Sequence, residues 1–202
     1  WLMLQGRMPT VDEERLLEAA LVASVDHGPQ AAAISTARMA VSCGNSLNHA
    51  LASAVNMLGD VHGGAGEQCL ELMNRVQEDL LDNGENLEQI VAEHISKHFK
   101  FQEKFIPGFG HRFHKTGDPR ALRLMELVSI AKSKNIVFGN FMRIGLEIQR
   151  QLSQEKKNRI AMNIDGATAV IFGELGLAPP LARGLFCLSR SVGILAHAWE
   201  QK

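Results

Sequence analysis

Apolar residues recur at helical spacing along almost the whole chain, and alternating runs of β-branched residues are nearly absent. That combination confines the fold to packed helices. Thr10, followed three residues later by Glu13, forms a capping box. Leu16, Leu17, Ala20, Leu21 and Ser24 then mark one face of a helix, which Asp26-His27-Gly28-Pro29 ends. Residues 31–41 and 46–58 read as alanine-rich helices able to pack closely. A glycine loop over 59–66 leads into amphipathic helices at 67–81 and 87–99, separated by the turn Asp82-Asn83-Gly84. Further helices are expected at 119–132, 140–153, 167–175 and 180–201. The fold class is mainly α.

With 202 residues, 46% of them apolar, the chain can build one substantial core and a smaller lobe. Residues 68–160 carry most of the Lys, Arg and Glu, as a more exposed lobe inserted into a larger one would. The net charge of −1 includes no basic excess that would point to nucleic acid. No apolar run approaches the roughly 18 residues of a membrane span. Cys43, Cys69 and Cys187 are widely spaced and form no metal pattern, which fits reduced thiols in a cytoplasmic protein. The opening WLMLQG reads as the tail of an apolar helix, so the polypeptide is expected to begin upstream of Trp1.

Three loops carry the chemistry. Residues 106–120, IPGFGHRFHKTGDPR, gather two histidines, two arginines and a lysine around a glycine hinge, with Asp118 as N-cap and Pro119 at the first helical position. Such a corner suits an anionic substrate and a proton donor. Residues 60–67, DVHGGAGE, lack the Lys-Ser/Thr of a phosphate loop, and His62 there reads either as a helix-end or as a functional histidine. Residues 162–167, MNIDGA, hold Asp165, either an N-cap or a reacting carboxylate. Arg120 and Arg190 are available to bind carboxylates.

HGGAGE, PGFGHRFHKTGDPR, NIDG and FCLSRSVGILAHAWEQ occur in this order, and together they resemble the citrate synthase superfamily. That group includes citrate and 2-methylcitrate synthases, citryl-CoA lyases and the lyase module of ATP-citrate lyase. The resemblance runs from about Leu16 to the C-terminus. It implies a large helical domain over 1–62 and 166–202, with a smaller helical domain inserted over 63–165.

By this resemblance Asp165 removes a proton from the acetyl-CoA methyl group, His62 stabilises the enol and His111 protonates the oxaloacetate carbonyl. In cleavage the roles reverse. His27, Arg120 and Arg190, the last in an FxxxR pattern with Phe186, would bind the oxaloacetate part. The backbone of Ile106, Pro107, Gly108, Phe109 and Gly110 would hold the CoA adenine, with Arg112, His114 and Lys115 as candidates for the CoA phosphates. His49, His94, His98 and His197 carry no motif and are read as surface or packing residues.

Synthases of this group usually carry an acidic residue after the first Asp-His, and an aromatic pair then Ser-Gly after the aspartate. Here Gly28-Pro29 and Gly166-Ala167-Thr168 stand in those places, and both resemble the lyases. The expectation is therefore a citryl-CoA lyase-type enzyme. The alternatives are a citrate or 2-methylcitrate synthase and a non-catalytic CoA-binding protein. CoA thioester and oxaloacetate or citryl-CoA would be substrates of a homodimer, with no permanently bound cofactor and no metal.

Overall fold

Helix start and stop signals set the architecture of the computed structural model, which describes residues 1–84, 86–101, 104–111, 114, 117–155 and 160–202. Among the described residues ten helices follow in order: α1 (Leu2–Gln5), α2 (Val11–Ser24), α3 (Ala32–Ser42), α4 (Leu47–Val55), α5 (Ala65–Asn83), α6 (Leu87–Lys100), α7 (Pro119–Ser133), α8 (Asn140–Glu155), α9 (Ile164–Glu174) and α10 (Pro179–Gln201). Among the described residues the only β contacts are two isolated bridges, Gly59 with Gly63 and Phe109 with Met162. The mainly α reading holds.

Local signals act as their chemistry requires. The Thr10 hydroxyl accepts the Glu13 amide while the Glu13 carboxylate accepts the Thr10 amide, so the capping box opens α2. Asp118 caps α7, with Pro119 at its first position. The opening apolar segment, Leu2–Gln5, is helical and is closed by Gly6 in the left-handed conformation. Two boundaries differ from expectation. Residues 82–84 are a helix end rather than a free turn, because α5 continues to Asn83 and Gly84 closes it with φ 60°. The second concerns α9, which starts three residues early because Asn163 caps it in place of Asp165.

Helix α9 lies at the centre. Gly166 through Gly173 are all buried, and the helix packs against α2, α5, α7 and α8. A helix apolar all round must be enclosed in this way. Leu70, Met73 and Val76 of α5, Ile144, Ile148 and Leu152 of α8, and Val170 and Ile171 of α9 anchor the main core. Each such side chain contributes about 1.5–3 kcal/mol on burial. A second, alanine-rich cluster joins α3 and α4 to Ile194 and Ala198 on α10. Small residues there let three helices approach closely. Between these clusters the loops before α3, α5, α7 and α9 meet.

Candidate active site

A cavity of about 460 Å³ is lined by His27, His62, Gly110, His111, Ile164, Asp165, Phe186 and Arg190, among others. The three chemistry-bearing loops therefore converge on one space. A recess lined by Asp26, His27, Gly28, His111, His114 and Arg120 shares His27 and His111 with it.

Two histidines are oriented by backbone amides. The Ala33 amide, in the first turn of α3, donates to His62 Nε2 at 3.4 Å. No side chain caps that helix, so the imidazole meets one of its free N–H groups. The His114 amide donates to His111 Nδ1 at 3.1 Å. Burial and, for His62, the charge of Arg190 hold its pKa below the ordinary histidine value. Burial lowers that of His111 too, with Asp118 opposing and His114 and Arg120 adding. Both rings are thus neutral near pH 7. A neutral ring that accepts at one nitrogen carries its proton on the other, so His62 presents Nδ1–H and His111 presents Nε2–H.

Asp165 is not the cap of α9. Asn163 Oδ1 accepts the amides of Asp165 (2.9 Å) and Gly166 (3.2 Å), so the Asp165 side chain has no capping duty. Among the described residues no hydrogen bond or ion pair within 4 Å is made by its carboxylate. Burial raises its pKa; Arg190 and Arg120 oppose the rise, and Asp118 adds to it. A carboxylate with this environment is a better proton acceptor than an exposed one and holds its own proton more firmly.

The cations are held unequally. Arg120 gives Nε and Nη2 to Asp118, at 3.1 and 2.9 Å. Arg190, 4% exposed, donates Nε to the carbonyl of Ser24 at 3.0 Å and lies 4.7 Å over the Phe186 ring. Among the described residues no carboxylate pairs with it within 4 Å. A buried guanidinium with no carboxylate in direct contact, Asp165 and Asp26 acting on it only through space, favours an anionic ligand.

Residues 106–110 do two jobs. Ile106 and Phe109 are 3% and 6% exposed and belong to the core, Pro107 is half-buried, and only Gly110 of the five lines the cavity. The loop is stitched to the α9 approach: Gly110 N donates to Ala161 O (2.8 Å), Asn163 N to Gly108 O (3.0 Å) and Asn163 Nδ2 to Gly110 O (2.7 Å). Arg112 and Lys115 lie outside the described residues. His114 stands 4.6 Å from the His111 ring, on the Arg120 side. His27 meets His111 edge-on at 5.9 Å, and burial followed by the surrounding cations and imidazoles lowers its pKa.

Some contacts escape the motifs. Helix α10 holds the end of α2: Ser189 Oγ donates to Leu21 O, Arg190 to Ser24 O, and His197 Nε2 contacts Asp26 at 3.2 Å, one residue before His27. Of its two readings, surface or packing, His197 takes the second. The other unassigned histidines have local partners, His49 with Ser46, His94 with Asp79 and His98 with the Phe105 carbonyl. Among the described residues no cluster of metal-ligating side chains forms, and no helix is long and apolar enough to cross a membrane.

Two neutral imidazoles, a carboxylate and a buried arginine around one cavity supply the kinds of group that proton transfer next to an anionic group requires. The citrate synthase C-terminal domain family matches residues 1–202, and the chain belongs to that family. A citrate synthase of Heyndrickxia coagulans is 33% identical over 202 residues, 98% of this chain and 50% of that protein. The citryl-CoA lyase from Hydrogenobacter thermophilus superposes with a TM-score of 0.82 at 34% identity, covering 99% of this chain and 73% of that one. Citrate synthase from Thermoplasma acidophilum, solved as a ternary complex with carboxymethyl coenzyme A and oxaloacetate, gives 0.79 at 25% identity, covering 96% and 50%. The chain spans about half the length of the curated relatives it matches.

Proposed function

We propose that the protein is a citryl-CoA lyase-type enzyme, cleaving citryl-CoA to acetyl-CoA and oxaloacetate by acid–base chemistry. The observation that carries the chemistry is the placement of two neutral imidazoles, His62 and His111, on one cavity with Asp165. In cleavage the tertiary hydroxyl of citryl-CoA loses its proton to His111 Nε2 as the oxaloacetate carbonyl forms; for this the neutral ring carries its own proton on Nδ1 once substrate is bound, giving up the His114 amide. The carbon–carbon bond breaks, and its electrons pass into the acetyl-CoA enolate. His62 Nδ1–H holds the developing charge on the thioester oxygen. Asp165, protonated at the start, completes the methyl group. Arg190 and Arg120 bind the carboxylates, and His27 orients the oxaloacetate part.

What favours cleavage over synthesis is the residue after Asp165. Gly166 lies against the Gly108 backbone, leaving no room for the aromatic side chain usual in synthases. The likeness to a citryl-CoA lyase supports the same reading. A citrate or 2-methylcitrate synthase is the second reading, favoured by the curated relatives. Free-thiol detection after mixing the chain with acetyl-CoA and oxaloacetate separates them: thiol release means a synthase.

Further proposals attach to this one. CoA thioesters act as substrates along the 106–110 backbone, without a resident cofactor. Residues 63–165 form the smaller, inserted helical domain, and sedimentation tests a homodimer that uses the apolar outer stripe of α10, Leu188, Val192, Leu195 and Trp199. The three unpaired cysteines favour a reducing, cytoplasmic location.

A further inference from the structure

Asp118 is 1% exposed, and its two oxygens accept four N–H groups. Oδ1 receives the Arg120 amide at 3.0 Å and Arg120 Nε at 3.1 Å. Oδ2 receives Arg120 Nη2 at 2.9 Å and the Ile164 amide at 3.1 Å. The first three are local, a helix cap and an ion pair. The fourth crosses to the first turn of α9, one residue ahead of Asp165. We infer that Asp118 is a positioning residue coupling Arg120 to Asp165, because its one carboxylate holds the guanidinium on one side and the α9 backbone on the other. This inference rests on the roles given to Arg120 and Asp165 above.

Capping α7 does not account for the arrangement. A cap needs one acceptor, which Ser, Thr or Asn supplies as well as Asp. A fully buried carboxylate is costly unless paired, and its partner here is the same Arg120 that borders the recess. With Nε and Nη2 committed to Asp118, the Nη1 edge of Arg120 keeps one contact, to the Ala23 carbonyl, long at 3.5 Å, and is the edge left to bind a carboxylate. On the other side, Asp118 and Asn163 between them accept the amides of Ile164, Asp165 and Gly166. Those three N–H groups would otherwise need water at the start of α9. A carboxylate arriving at Arg120 therefore pulls on the same group that fixes where Asp165 points.

A double-mutant cycle tests this on the full chain, with Asp118→Asn, Arg120→Gln and the pair. Calorimetry gives oxaloacetate affinity, and citryl-CoA turnover at saturation gives kcat. Coupling predicts that Arg120→Gln lowers kcat roughly tenfold even at saturation, beyond its weaker binding, and that the two losses fail to multiply by about fivefold or more. An unchanged kcat in Arg120→Gln, or losses that multiply, overturns it. Arg120→Gln leaves the Asp118 cap in place, so it decides the matter even if Asp118→Asn does not fold. Should the wild-type chain not turn over, the functional reading fails, and the Ile164 amide resonance still tests the coupling. Movement of that resonance in Arg120→Gln supports it, and an unmoved resonance overturns it.

Discussion

Gly108 and Gly166 meet backbone to backbone: a Cβ on Gly108 would stand 2.8 Å from Gly166 Cα and 2.6 Å from the Cys69 sulfur. Gly108 also has φ 84°, which costs other residues about 1–2 kcal/mol. Adding an overpacking cost of roughly 1–3 kcal/mol, Gly108→Ala is therefore expected to destabilise the fold by about 2–5 kcal/mol. It should also displace the Gly110–His111 edge of the cavity. Denaturant unfolding and turnover measured together check this, and a wild-type midpoint would remove the contact from the account.

Asp165→Asn should lower turnover by at least about 10²-fold, the scale of a lost acid–base group. Stability should move the other way. Burial raises the folded pKa of Asp165, so the ionised form opposes folding, and the favourable contribution present below the unfolded pKa of about 3.9 is lost as pH rises through the folded value. The asparagine variant should be the more stable protein at pH 7, with the gap closing as pH falls to about 4. Thermal melts at several pH values measure it.

The same shift fixes the direction of a rate profile. Cleavage needs Asp165 protonated, so kcat for citryl-CoA cleavage should fall as pH rises through the raised Asp165 pKa. Condensation by the same site would need the carboxylate and should fall as pH drops through it. Profiles of kcat against pH in the two directions test the assignment, and a cleavage rate that climbs through that window would count against Asp165 as the acid.

Tautomers offer a check independent of turnover. Nitrogen-15 spectra of the free protein near pH 7 should show His62 protonated on Nδ1 and His111 on Nε2, both rings neutral. A charged ring, or the opposite tautomer at either, would undo the donor assignment.

Among the described residues Arg190 has no carboxylate in direct contact, whereas Arg120 is paired with Asp118. Arg190→Gln should weaken oxaloacetate binding by about 10–100-fold, the scale of one or two charge-assisted hydrogen bonds. Binding calorimetry decides it, and affinity within about twofold of wild type, less than any one such bond contributes, would show that the anion binds elsewhere.

Local signals were the legible ones. The Thr10–Glu13 box and Asp118-Pro119 announce their helices because each is completed within four residues. His62, His111 and Asp165 could be singled out from loop chemistry and motif order, and they do line one cavity. Hidden features depend on distant partners: Asp118 reaching Ile164, His197 reaching Asp26, Ala33 reaching His62. The early start of α9 was hidden for a different reason. Asn163 and Asp165 are both good caps, and only three-dimensional packing chooses between them.

The most direct test supplies citryl-CoA to the full chain and follows oxaloacetate, acetyl-CoA and free CoA thiol together. The account predicts equal amounts of oxaloacetate and acetyl-CoA, no thiol, and loss of both products in Asp165→Asn. Thiol release with citrate as product, or citryl-CoA left intact, would contradict it.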